Sequence, residues 1–482
     1  MKTLLDRACE LMKQAGASYG DVRIRQDRHE SLAVKDGRPE HIAMSESAGF
    51  GVRVLVDGAW GFFGTHRLEE SAVEDVVRQA ATMARAAARL TEKPVVLAPL
   101  APAVAQYETP HRKDPFAVPL EEKLALLVAA SKAMRGPNLK LAQAFFAGFD
   151  TRQHFASTEG ARIEQHIVQA GGGIAATAIA GGDLQVRSYP NSFRGNFCTG
   201  GYEYVEAMDL VGEAPRVAEE AEALLAAPPC PEGRRTIILD GGQLALQVHE
   251  SCGHPIELDR VLGMELSYAG DSFLTPDKLG HFRYGSPQVH IAADATCPGG
   301  LGTFGYDDEG VPAQRTPIIE AGIFVGYLSS RETAPTIGRT SSGTMRASGW
   351  NRIPLIRMTN VSLLPGSDGT LDDLIASTDD GIYFETNRSW SIDDRRYNFQ
   401  FGTEIAWEIK NGKVGRMLKN PTYAGITTEF WNSCDAICGP QEWVLWGTPN
   451  CGKGQPMQTM GTGHGASPAR FRKVQVGVAY SG

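Results

Sequence analysis

The stretch Gln247-Val248-His249-Glu250-Ser251-Cys252-Gly253-His254-Pro255 sets two histidines five positions apart, with a glutamate beside the first, inside an otherwise amphipathic run. Paired imidazoles are the usual start of a metal site, and a carboxylate next to one of them is the usual base for metal-activated water. On a regular α-helix, histidines at i and i+4 diverge by roughly 40°, whereas those at i and i+5 diverge by about 140° and cannot share an ion. One inserted residue, a π-bulge, returns the second imidazole to the face of the first. Pro255 makes the bulge expected, because it has no N–H for the Ser251 carbonyl and its ring would clash there. The motif helix is therefore predicted over residues 243–262, distorted between Ser251 and Pro255. His249 and His254 would ligate one metal, with Glu250 as general base.

A catalytic zinc site needs a third protein ligand and an open position. The candidates are Cys252, Cys297, Cys434, Cys438, Cys451, His281, His290, His464 and many carboxylates. Cys252 lies inside the motif, but the helix can point it elsewhere. In Asn450-Cys451-Gly452-Lys453-Gly454-Gln455 the glycines let a thiol approach an ion, and Lys453 would favour the thiolate. Spacing alone does not choose among them. The lone His281, His290 and His464 read as surface or hydrogen-bonded residues, and Cys434-x-x-x-Cys438 as structural, since it is not a Cys-x-x-Cys redox motif.

Working outward, the 482 residues exceed one core. Pro228-Pro229-Cys230-Pro231-Glu232-Gly233 is the best boundary, because its prolines can join neither neighbour. The expected fold class is α+β. An N-terminal α/β domain over 1–230 carries an antiparallel meander with flanking helices. A C-terminal, mostly antiparallel, barrel-like β-domain over 231–482 carries the motif helix. In the first half, helices are expected over 3–15, 69–90, 120–134 and 205–226. Strands are expected over 21–26, 30–34, 49–58, 59–63, 141–149, 152–158, 161–169, 173–179 and 183–189. Asp57-Gly58 signals a hairpin, as does Asn411-Gly412 in the second half. One further helix is expected at 371–376, with Thr370 as its N-cap.

A formal charge of −9, with both signs interspersed, leaves no basic patch for nucleic acid. No run of 18 apolar residues occurs, and Asp6 and Glu10 interrupt any leader-like start, so a cytoplasmic protein without membrane contact is expected. Eight sparse cysteines are then thiols or ligands. Asp307-Asp308-Glu309 reads as a structural or solvated turn, since successive acids alternate sides along an extended chain. Gly452 to Gly465 lacks the spacing and the following helix of a phosphate loop.

Taken together, His249-Glu250-x-x-x-His254 and Cys451-Gly452-Lys453-x-Gln455 resemble the TldD/PmbA metallopeptidases, on the TldD side. Gly49-Phe50-Gly51-Val52-Arg53-Val54, Gly305-Tyr306-Asp307-Asp308-Glu309-Gly310, Ser342-Gly343-x-x-Arg346 and Arg357-Met358-Thr359-Asn360 extend the likeness along nearly the whole chain. The resemblance implies a two-domain protein that dimerises around a cavity and cleaves unfolded or short peptides bound as an added strand. It implies His249, His254 and Cys451 as ligands of one divalent metal, zinc or alternatively Fe2+, with Glu250 as base. It further implies a homodimer, or a heterodimer with a PmbA-like chain that lacks the metal motif. The run Met457-Gln458-Thr459-Met460-Gly461-Thr462-Gly463-His464 departs from the family by being polar where an apolar stretch is expected. Two other classes compete: a non-catalytic peptide-binding scaffold with structural metal, and thiol redox chemistry through Cys434 and Cys438.

Overall fold

The computed structural model describes residues 1–478. The first half is built on an antiparallel sheet whose four main strands are Tyr19–Lys35, Arg38–Val56, Leu139–Ser157 and Arg162–Ala180. Ala59–Thr65 flanks Arg38–Val56 at one edge. At the other, Val104–Glu108 lies beside Arg162–Ala180 and is the sheet's one parallel neighbour among the described residues.

The strands run longer than the sequence periodicity indicates. Residues 21–26 and 30–34 belong to one strand, because Gln26 through His29 stay paired on both sides, to residues 45–48 and to residues 149–152. The polar residues between the two runs alternate between exposed and half-buried positions of a continuous strand and do not form a turn. Residues 141–149 and 152–158 merge for the same reason. The hairpins at Asp57-Gly58 and Asn411-Gly412 are present, each with positive φ at both residues, as a tight right-twisted connection requires.

Helices cover the sheet. Lys2–Gln14 and Glu70–Ala88 close one apolar cluster around Val22, Phe50 and Val76. Gly61 lets Glu70–Ala88 sit directly on its strand, since a Cβ there would stand 2.0 Å from the Ala80 carbonyl oxygen. Leu120–Ala133 and Leu210–Ala226 close a second cluster around Phe146 and Leu127. The second of these helices begins later than 205, because Asp209 turns left-handed and accepts the Gly212 N–H to cap it.

In the second half, Gly233–Leu239, Ala469–Val478, Pro421–Ile426, Asn398–Lys410 and Asp380–Ile392 pair in that order, and the last pairs back to the first. The result is a closed five-strand barrel, antiparallel except where Asp380–Ile392 runs beside Gly233–Leu239. Phe384, Phe401, Tyr423 and Phe471 are buried in its core. The motif helix leaves the barrel directly after its first strand, with Asp240 accepting the Gln243 and Gly242 N–H groups at 2.9 and 3.1 Å. Helix Leu371–Ala376 starts with the expected Thr370 cap.

Buried charges clasp the halves. Asp308 accepts from Gln153 at 2.7 Å, and Glu309 faces Arg53 at 3.4 Å and takes the Arg331 N–H at 2.7 Å. The Asp307-Asp308-Glu309 turn is thus structural, and buried instead of solvated. Arg187, only 1% exposed, meets Glu220 at 2.8 Å, Glu385 at 2.5 Å and Glu404 at 3.2 Å. Arg187→Leu strands these carboxylates, and we expect a loss of about 3–5 kcal/mol in stability by urea unfolding. An unchanged urea midpoint would contradict the clasp.

Candidate metal centre

The motif helix is α-helical over Gly241–Val248 and becomes a π-helix over His249–Gly253. The His254 N–H reaches back five residues to the His249 carbonyl at 3.1 Å. Pro255 leaves the Ser251 carbonyl without its helical donor, and the Tyr284 hydroxyl fills that role at 3.0 Å. Ser251 Oγ donates to the Gln247 carbonyl and accepts the Trp431 indole N–H at 3.0 Å. These bonds satisfy the broken ladder. The helix does not continue to 262 as the sequence suggested. It stops at the proline, and only the short turn Leu258–Val261 follows.

The wide turn brings the His249 and His254 rings to 4.9 Å between centroids, nearly perpendicular. Cys451 arrives from the far end of the chain, on strand Val444–Lys453, which pairs with Gln458–Ala466 through a register shift between Thr448 and Cys451. Its Sγ lies 3.9 Å from His254 Nε2. One ligand atom from each of His249, His254 and Cys451 falls within 4.8 Å of the others, and all three side chains are buried.

Hydrogen bonding fixes which imidazole nitrogens are free. His464 Nδ1 is 2.8 Å from the Val361 carbonyl, which can only accept, so Nδ1 carries the proton and Nε2 is bare. His249 Nδ1, at 2.7 Å from that bare nitrogen, must donate to it, which leaves His249 Nε2 with its lone pair. His254 Nδ1 donates to Glu257 at 3.0 Å, leaving its Nε2 towards Cys451. Two neutral nitrogens and a thiol are a fitting donor set for a borderline-soft divalent ion.

Electrostatics point the same way. Burial lowers the pKa values of His249, His254 and His464 below the ordinary imidazole value. Burial pushes the Cys451 thiol up, the Arg357 guanidinium pulls it down, and its pKa lies below the usual thiol value. Lys453 is not the cation beside the thiolate that the sequence suggested. It is fully buried between Asp259 at 2.7 Å and Glu257 at 3.3 Å. Cys252 stays out of the centre, in the apolar core, where burial lifts its thiol to about 12. Cys434 and Cys438 are buried elsewhere, and His281 and His290 are exposed. His464 is hydrogen-bonded, as one sequence reading had it, but wholly buried.

Glu250 faces the same cavity, of about 410 Å³, with Oε2 at 2.5 Å from Arg396 Nη1. A second cavity of similar size, lined by Arg25, Gln153 and Phe304, contains none of the three candidate ligands. Sequence reasoning missed Glu257, Arg357 and Arg396. Only Glu257, three residues after His254, carried a local signal, as a carboxylate at helical spacing.

Two outcomes are expected. His464→Leu removes the acceptor that fixes the His249 tautomer, and metal affinity measured by competition with a chelator should fall about 10–100-fold. Unchanged affinity would release His464 from that role. The folded chain also refuses protons that three unfolded histidines accept. The stability of the metal-free protein should therefore be full above pH 6.5 and decline as pH falls below it, by thermal melts at stepped pH. A flat profile would oppose this.

Sequence and structure comparisons agree. Models described as PmbA/TldA metallopeptidase domain 1, central domain and C-terminal domain match residues 20–84, 113–227 and 232–477. A metalloprotease of Methanocaldococcus jannaschii is 32% identical over 448 residues, 93% of this chain and 95% of its own. A protein of Saccharolobus solfataricus named as a zinc metalloprotease TldD homolog is 21% identical over 441 residues, 88% of this chain and 90% of its own. The crystal structure of a Thermotoga maritima protein assigned as a DNA gyrase modulator superposes with a TM-score of 0.77 at 18% identity, over 98% of this chain and 99% of its own, which speaks to the fold alone. The chain belongs to the PmbA/TldD metallopeptidase family and is a TldD-like metalloprotease.

Proposed function

We propose that the chain hydrolyses peptide bonds in unfolded or short peptides, with His249, His254 and Cys451 holding one divalent metal and Glu250 as general base. One observation carries this reading: two lone-pair-bearing imidazole nitrogens, a thiol of lowered pKa and a buried carboxylate meet in a single cavity. When bound, the ion supplies Lewis-acid polarisation of the carbonyl and acidifies water at the site. Glu250 takes a proton from the attacking water as the new C–O bond forms. It passes that proton to the amide nitrogen as the C–N bond breaks, so one water is consumed and an acid and an amine are released. His464 and Glu257 hold the two imidazoles in the tautomer that leaves Nε2 free.

Zinc suits two imidazoles and a thiolate, and Fe2+ accepts the same donors. The name of the Saccharolobus relative favours zinc. The peptide is bound in extended form. A second subunit, identical or a PmbA-like chain without the metal motif, completes the assembly. Supporting a partner, Arg38–Val56 pairs with Ala59–Thr65 only from Phe50 onward, so its earlier part leaves an open edge bearing the exposed Ile42 and Met44. No helix is long and apolar enough to cross a membrane. A cytoplasmic location fits eight free cysteines.

Glu250→Gln should keep the parent's metal content and lose cleavage of an unstructured peptide by at least about 10²-fold, followed by product chromatography. A variant that cleaves as fast as the parent would remove Glu250 as the base. A metal-loaded parent that binds peptide without cleaving it would favour the scaffold reading.

A further inference from the structure

Arg396 is the one basic side chain lining the metal-centre cavity among the described residues. It comes from the turn between barrel strands Asp380–Ile392 and Asn398–Lys410. Its backbone is left-handed, with φ of 65°, a conformation long side chains rarely adopt. The turn is held there on every side. The Arg396 N–H donates to the Asp393 carbonyl at 2.9 Å, the Thr427 hydroxyl donates to the Arg396 carbonyl at 2.8 Å, and the Asp393 carboxylate accepts the Tyr397 N–H at 2.7 Å. Strain maintained in this way clusters at functional sites.

The guanidinium uses Nη1 for Glu250, while its buried Nε–H has no acceptor. Two more residues lining the cavity have buried polar atoms without partners, Trp446 Nε1 and Asn387 Oδ1. The Asn387 amide cannot simply be turned round, since its Nδ2 faces the Ser389 and Gly402 carbonyls at 3.4 Å each. Buried polar groups are ordinarily satisfied, so orphans gathered in one cavity mark where a polar ligand binds. A peptide backbone offers carbonyl acceptors for the two N–H groups and an amide donor for the oxygen.

Resting on the peptidase reading, we propose that Arg396 is a catalytic residue that donates a hydrogen bond to the carbonyl oxygen of the peptide bond being cleaved. The fork of five guanidinium N–H groups lets one cation touch the base and the substrate together. Negative charge gathers on that oxygen as water adds, and a donor already in position stabilises it without reorganising. A residue serving only to hold Glu250 would need no further N–H group left unpaired.

The test uses full-length protein of measured metal content and an unstructured peptide. Arg396→Gln should lower kcat about 10²–10³-fold with metal content and melting temperature kept, and Arg396→Lys should recover part of the loss. Binding is read separately, by titrating the same peptide into the metal-loaded Glu250→Gln protein and into Glu250→Gln/Arg396→Gln, where weakening of about tenfold or more is expected. Parental kcat in Arg396→Gln overturns the proposal. Equal affinity of the single and double variants also overturns it, since Arg396 would then act on Glu250 alone. Should Arg396→Gln fail to fold, Arg396→Lys in both backgrounds gives the same reading. A parent that cleaves nothing defeats the peptidase reading, while the binding comparison still decides whether Arg396 touches the peptide.

Discussion

The hydrogen bond from the His254 amide to the His249 carbonyl, five residues back, is the constraint on which the centre depends. In a regular helix the two imidazoles would diverge by about 140° and share no ligand. The proline that follows forbids the regular ladder, and a buried tyrosine, a tryptophan and a serine take up the polar groups that the break releases. The serine is Ser251, within the motif itself, whereas the tyrosine and the tryptophan are distant from it in sequence. These two belong to the barrel's surroundings, so the wide turn is stable only inside this fold.

The barrel explains why both ends of the second half of the chain are needed. Its first and last strands pair, which brings the motif helix against the hairpin that precedes the last strand. One arm of that hairpin carries Cys451 and the other carries His464, which pairs with Trp446 across the hairpin. A single supersecondary unit thus offers a candidate ligand and the residue that orients another. This gives a reason for the polar run ending at His464. Thr462 and His464 are fully buried behind His249, where an apolar stretch would leave its Nδ1–H without an acceptor.

What was legible in the sequence follows the range of the forces involved. Pro255 acts on its own turn, and the π-helix was foreseeable from it; the hairpins at Asp57-Gly58 and Asn411-Gly412 were equally local. Strand length was not, because whether Gln26 through His29 turn or continue depends on neighbours on both flanks. Lys453 was misassigned because proximity to Cys451 in sequence says nothing of the carboxylates that other elements bring. Its ammonium ends between Glu257 and Asp259, which arrive from the segment after the motif. Arg396 left no local trace, and Arg357 stood in a family-like stretch with no role attached to it, since both act through tertiary contact.

The charge arrangement around the centre carries the argument to its chemistry. Glu250 has Arg396, the Cys451 thiol has Arg357 behind its backbone, and Glu257 with Asp259 has Lys453. Glu250 and Cys451 each have a cation drawn from the chain itself, while Glu257 and Asp259 share one. Both imidazoles are neutral by their hydrogen bonding, so in the proposed centre a divalent ion held by them and one thiolate would itself carry net positive charge. Such a charge would favour a negative partner forming beside it. The partner that forms in amide hydrolysis is the oxygen of the carbonyl under attack. In the proposed hydrolysis such a site would favour the substrate most at the moment its oxygen becomes an anion, which is the differential binding that catalysis requires.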